Sequence, residues 1–177
     1  MGLLIHHPAP AFFLPDLDGR HHALHDYRGR TVILNFWSAE CPWSARTDRD
    51  LTAALAGWNA PETAPSPRVV LLPIAANANE APALLREPAA ARGLPVVLHD
   101  ADGQVAQRYT AQTTPHRYVI DPAGNLRYQG AADDVTFRQR TPTRHYLKDA
   151  VDALLRGDAP DPWSTPTYGC TLVSFVE

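Results

Sequence analysis

With 177 residues, 45% of them hydrophobic and 20% charged, the chain has the size and make-up of one globular domain, 1–177, with a sizeable core. Its formal net charge of −3 gives no electrostatic basis for binding nucleic acid or an anionic membrane. Two cysteines, Cys41 and Cys170, are too few for a disulfide scaffold, no apolar run approaches the ~18 residues of a membrane span, and the first residues are too short for a secretory leader. As written, the sequence reads as soluble and cytoplasmic, with an extracytoplasmic location as the alternative.

In chain order, residues 1–30 read as an N-terminal extension carrying a hairpin, with strands at 12–14 and 22–24 around the Asp18-Gly19 turn. Residues 32–37 are nearly all apolar, as in a strand covered on both faces. A helix follows Cys41, with Trp43, Leu51, Leu55 and Trp58 on one stripe and Gly57 and Pro61 ending it. A Pro-rich loop at 59–67 leads to a second buried strand at 68–76. Pro73 inside that strand cannot donate to a ladder, which places it near an edge or at a bulge. Asn79 is expected to cap a helix running to about residue 92, kinked or split at Pro88 and stopped by Gly93.

A short strand at 94–99, a turn at 100–103 and a short helix to about 109 come next. Tyr118 and Ile120 alternate before a turn at 122–125, and residues 126–129 complete a second hairpin. Thr141-Pro142 reads as the cap and first turn of a last helix that buries Tyr146, Leu147, Ala150, Val151, Leu154 and Leu155 and ends at Gly157. Residues 158–177 form a Pro-rich C-terminal tail.

The chemistry centres on Cys41. It stands where the apolar strand turns into a helix, and Pro42 suits the first helical position because its φ is already set and no N–H is wasted. Unpaired amides and the positive end of the helix dipole favour a thiolate there. Glu40 beside it opposes ionisation, so activation should be moderate, with a pKa above about 5. A buried, inert cysteine is the alternative.

The segment Val32-Ile33-Leu34-Asn35-Phe36-Trp37-Ser38-Ala39-Glu40-Cys41-Pro42-Trp43-Ser44 resembles the active-site segment of the thioredoxin superfamily. With Ala9-Pro10-Ala11-Phe12, Leu14-Pro15-Asp16-Leu17-Asp18-Gly19 and Tyr27-Arg28-Gly29-Arg30 before it, the chain looks like the TlpA/ResA-type thiol–disulfide oxidoreductases and the peroxiredoxin-like (AhpC/TSA-type) redoxin domains. The resemblance implies an α/β thioredoxin-like fold, a central mixed β-sheet flanked by helices, with the N-terminal hairpin and the C-terminal tail added. It departs from the pattern twice: Ser44 stands in place of a second cysteine, and Asn35 in place of a buried Asp. A dithiol shuttle cannot run on Cys-Pro-Trp-Ser. Thr114-Pro115 resembles the cis-proline loop of that fold, which implies a cis bond, packing against Cys41 and backbone groups offered to an extended substrate. An ordinary trans proline opening an edge strand is the alternative.

Ser44 either donates a hydrogen bond to the Cys41 thiolate or is a passive replacement. Cys170 is the internal candidate for resolving an oxidised Cys41, in a tail that reads as loose enough to swing, and the late Gly169-Cys170 pair resembles a peroxiredoxin-like subgroup. Cys170 is otherwise a small buried anchor or an intermolecular partner. Trp43 forms an apolar lip for substrate or packs in the core, and Trp37 and Glu40 flank the thiol. His116 lies next to Pro115 and serves as a base or sits at the surface. The histidines lack a tetrahedral ligand set with the cysteines, so neither a metal nor another cofactor is implied.

Three functions stand. The first is thiol–disulfide exchange through Cys41, with protein or low-molecular-weight disulfide substrates and an external thiol reductant. A thiol peroxidase is the second, favoured by Ser38-Ala39-Glu40-Cys41, and a redox-inactive peptide-binding module is the third. Oligomeric state, physiological partner and direction of electron flow are left open by the sequence.

Overall fold

The computed structural model describes residues 3–60 and 68–174. Its centre is a five-stranded sheet ordered β5-β4-β3-β7-β8, built from β3 (Thr31–Trp37), β4 (Val69–Ala75), β5 (Leu98–His99), β7 (His116–Ile120) and β8 (Leu126–Gly130). β3 pairs in parallel with β4, and β4 with β5, while β7 runs antiparallel to both β3 and β8. The mixed sheet is the one expected. β3 is buried at all seven positions because both faces are covered.

On one face, α1 (Pro42–Trp58) and α4 (Tyr146–Arg156) pack Leu51, Trp58, Leu147, Ala150 and Val151 over Ile33, Val69, Leu71 and Val119. On the other, Phe12, Leu14 and Leu24 from the N-terminal segment and Val105 of α3 (Gln104–Arg108) cover Val32, Leu34, Phe36 and Leu72. α2 (Pro82–Ala91) lays Leu85 and Ala89 against Trp37 and Ala75. The N-terminal hairpin is β1 (Phe13–Pro15) with β2 (His21–Ala23), and a single 3-10 turn, Leu24–Tyr27, follows it.

Pro73 is placed as its missing donor requires. Ala75 O accepts from Asp100 N–H, so the odd-numbered backbone groups of β4 face the β5 side. β5 reaches back just to Ile74, and Pro73 has no ladder bond to break there. Of the loop expected at 59–67, residues 61–67 lie outside the described residues.

Four expectations are corrected. Asn79 does not cap α2, which starts at Pro82 after Ala81, because Glu80 between them turns inward to the site turn. Of the kink or split expected at Pro88, the split is absent: α2 runs unbroken from Pro82 to Ala91. Thr141-Pro142 does not start the last helix: α4 begins at Tyr146, and Asp134 binds the amides of Thr143 and Arg144 to hold the loop before it. Nor is the tail loose. Ser164 and Thr165 lie along β8, where a side chain on Gly130 (φ 144°) would meet the Thr165 backbone. Farther on, β9 (Cys170–Thr171) pairs antiparallel with β6 (Thr113–Thr114).

Candidate active site

β3 delivers the turn 38–40 to the head of α1, and two side chains from the α2 region hold that turn. Glu80 Oε1 accepts from Ser38 Oγ at 2.8 Å and from Glu40 N–H at 3.2 Å, and its other oxygen accepts from Asn77 Nδ2 at 2.7 Å. Arg92 donates to the carbonyls of Ser38 and Ala39, lies over the Trp37 ring and pairs with Asp48 at 3.2 Å. Glu40 is itself exposed. Cys41 is the N-cap residue of α1, with Pro42 in the first turn, and is 2% exposed.

The Cys41 sulfur is joined to Cys170 in a disulfide, Cα to Cα 6.1 Å across 129 residues of sequence. Sγ of Cys41 also lies 2.9 Å from the carbonyl oxygen of Thr114, and the Thr114-Pro115 peptide bond is cis. The structure thus brings Cys41, Thr114, Pro115 and Cys170 to one point. Ser44, one turn into α1, is fully buried, and its hydroxyl has no hydrogen-bond partner in this disulfide form. Trp43 is half-buried, edge-on to Phe137 at 5.3 Å and 6.5 Å from Tyr168. Phe137 is 71% exposed, so this aromatic group faces solvent beside the helix head. Arg46 stacks over Trp43 and makes a two-pronged bond to Asp133.

A polar layer lies between the sheet and the first turns of α1. Asn35 is opposite Arg117 in the β3–β7 register, and both are buried, Arg117 being 1% exposed. Arg117 donates to Thr47 Oγ1, and Asp48 accepts from Trp37 Nε1 at 2.9 Å. Burial pushes the Asp48 carboxyl up, opposed by the Trp37 bond and by Arg117 and Arg92. Burial also lowers the Arg117 guanidinium to about 10, against the pull of Asp48 and Asp133. The Asn35 side chain has no partner at either polar atom. Sequence reading missed Glu80, Arg92, Asp48, Arg117 and Asp133, because each acts through a contact distant in sequence.

His116 projects to the opposite sheet face, where its ring stacks on Tyr118 at 4.6 Å and Nδ1 lies 3.2 Å from the Tyr118 hydroxyl. Burial first, and then Arg117, lower its pKa to about 4, whereas an unfolded chain protonates histidine near 6.5. Stability from this group is therefore whole above about pH 6.5 and is lost as pH falls towards 4, where the unfolded state takes up the proton first. In His116→Phe the loss of stability between about pH 7 and pH 4.5 should shrink, as urea midpoints at the two pH values will read. Among the described residues, no three His, Cys, Asp or Glu side chains converge as a metal site, and no helix is long and apolar enough to cross a membrane.

A cysteine heading α1 off a central strand, faced by a cis-proline loop in a mixed sheet of this order, defines a redoxin of the thioredoxin superfamily. The chain belongs to the AhpC/TSA family, whose model matches residues 5–129. Over 33 residues it is 61% identical to the thiol-disulfide oxidoreductase ResA of Geobacillus thermodenitrificans, a match covering 19% of each chain. Two solved structures match almost end to end. One is an uncharacterized conserved protein from Geobacillus kaustophilus (TM-score 0.86, 25% identity, 99% of this chain and 94% of that one). The other is a hypothetical protein from Sinorhizobium meliloti (TM-score 0.85, 23% identity, 100% and 98%). A secreted Mycobacterium tuberculosis disulfide oxidoreductase homologous to E. coli DsbE shares the fold at TM-score 0.58 and 20% identity, over 82% of this chain and 95% of that one.

Proposed function

We propose that the protein is a thiol–disulfide oxidoreductase in which Cys41 is the nucleophile and Cys170 the resolving thiol. The observation that carries this reading is the Cys41–Cys170 bond at the head of α1. In the reduced chain the Cys41 thiolate attacks a substrate disulfide, one substrate sulfur leaves as a thiolate, and a mixed disulfide forms. The Cys170 thiolate then attacks Cys41 Sγ, the second substrate sulfur leaves, and the Cys41–Cys170 bond closes. An external thiol returns both cysteines to the reduced state.

Ser44, whose hydroxyl is buried and unpartnered, donates to the Cys41 thiolate once that bond opens. Thr114 and Pro115 hold the substrate backbone, and Trp43 with Phe137 and Tyr168 forms the lip around it. Trp37 and Glu40 support the turn that carries the sulfur, and His116 shapes the loop from behind. No further cofactor enters this scheme, and the substrate is a protein or a small disulfide.

Family membership supports a second reading, a thiol peroxidase. There the Cys41 thiolate takes one oxygen from a hydroperoxide, releases the alcohol and becomes a sulfenic acid, and Cys170 condenses with it to give the disulfide and water. Against this reading, Ser38 of the Ser-x-x-Cys pattern donates to Glu80 rather than to sulfur.

Disulfide-reduction and peroxide-consumption assays on wild type and Cys41→Ser separate the readings. Exchange is expected to proceed with wild type and to fall to the uncatalysed background in the variant. Turnover with peroxide alone supports the peroxidase, and no turnover in either assay leaves a peptide-binding module.

A further inference from the structure

Among the described residues the strand partner of β6 is the chain's own tail, with Thr113 opposite Thr171 and Thr114 opposite Cys170. Leu172 N–H extends the ladder onto Gln112 O at 3.0 Å. On the other side of the tail, Val173 N–H donates to Asn77 Oδ1 at 2.8 Å, and Val173 O accepts from Ala78 N–H at 3.0 Å. Residues 170–173 are thus held as an extended segment between two loops, with one sulfur aimed at Cys41.

Each position of this segment meets a distinct demand. A Cβ on Gly169 would fall inside the contact shell of Thr114 O and 2.8 Å from its carbonyl carbon. The glycine is needed here for room, since its backbone is not in the left-handed region. Cys170 supplies the sulfur. Thr171 points to solvent, and Leu172 is 8% exposed within the core cluster that includes Val105 and Tyr109.

If the disulfide opens and the tail leaves, β6 presents unpaired N–H and C=O groups directly beside the Cys41 sulfur. A bare strand edge is a template for an added strand, with backbone bonds giving affinity and alternate side-chain positions giving selectivity. The proposed exchange function already seats the substrate backbone on this edge; we propose that residues 169–172 are a resident copy of the peptide that lies there. The preferred substrate has glycine before its cysteine, any residue after it, and an aliphatic residue one place further on. This deepens the exchange reading of Cys41 and rests on it. Substrate strand and tail compete for one edge: the peptide enters the reduced chain, Cys41 forms its mixed disulfide, and the returning tail brings Cys170 in to displace the peptide thiolate.

The test uses reduced full-length Cys170→Ser, which stops at the mixed disulfide. The probes are three blocked peptides, Gly-Cys-Thr-Leu, Val-Cys-Thr-Leu and Gly-Cys-Thr-Lys, each carrying thionitrobenzoate on its cysteine. Attack by Cys41 at the peptide sulfur releases the coloured thiolate. The first peptide is expected to react at least tenfold faster than either of the others. Equal rates for all three, still above a Cys41→Ser/Cys170→Ser control, overturn the resident-copy proposal and leave thiol exchange standing. No release above that control with any peptide overturns both.

Adding Gly169→Val to Cys170→Ser gives a second readout, because the new side chain evicts the tail. Gly-Cys-Thr-Leu should then react several-fold faster than with Cys170→Ser alone, and an unchanged or slower rate counts against the proposal. If that double variant does not fold, the peptide comparison decides.

Discussion

Reducing the Cys41–Cys170 bond is expected to lower the stability of the folded chain by about 2–4 kcal/mol. The bond joins positions 129 residues apart, so it removes a large share of the freedom of the unfolded chain. For a domain of this size the corresponding fall in Tm is about 4–16 °C. Thermal unfolding with and without a phosphine reductant measures it. Cys170→Ser should melt with the reduced wild type and show no response to reductant. A wild-type Tm that ignores reductant would mean that the hydrogen bonds of β9 and the burial of Leu172 hold the tail unaided.

The second large effect belongs to Asp48, which lies under the site and touches no substrate in the scheme above. It accepts from Trp37 Nε1, pairs with Arg92 and is the leading counter-charge for Arg117. Asp48→Ala leaves an indole N–H without its acceptor and a fully buried guanidinium short of its partner. Breaking a buried pair from one side costs about 3–5 kcal/mol. Asp48→Asn keeps an acceptor for Trp37 and loses the charge, and should cost less, about 1–3 kcal/mol. Urea unfolding of both variants gives the values, and a loss under about 1 kcal/mol for Asp48→Ala would show that Asp133 suffices for Arg117.

Much of this framework was legible in local pattern. The run of apolar residues before Trp37 marks a strand covered on both sides, and Cys41-Pro42 marks the start of α1, because both signals act within a few residues. Thr114-Pro115 was legible through resemblance. Arg117 shows where pattern is silent. Nothing in the local run His116-Arg117-Tyr118 marks this charged residue as buried, yet α1 and α4 cover that face and enclose it. The same holds for Glu80 and Asn79. Capping logic weighs only the next turn of helix, whereas Glu80 answers to Ser38, forty-two residues earlier. The tail is the widest gap between reading and structure. Its prolines suggest irregular chain, and nothing local announces that β6 and β8 will both hold it.

The seat of Thr165 on Gly130 and β8 sets the length of a leash. Five residue steps separate that anchor from Cys170, and fully stretched they span about 17 Å. A freed Cys170 therefore stays in the neighbourhood of α1 even when another peptide lies along β6. Tethering of this kind keeps a thiol at an effective concentration on the order of millimolar. A stranger's cysteine at micromolar levels competes poorly with that, so the protein should close its own bond in preference to cross-linking with a neighbour.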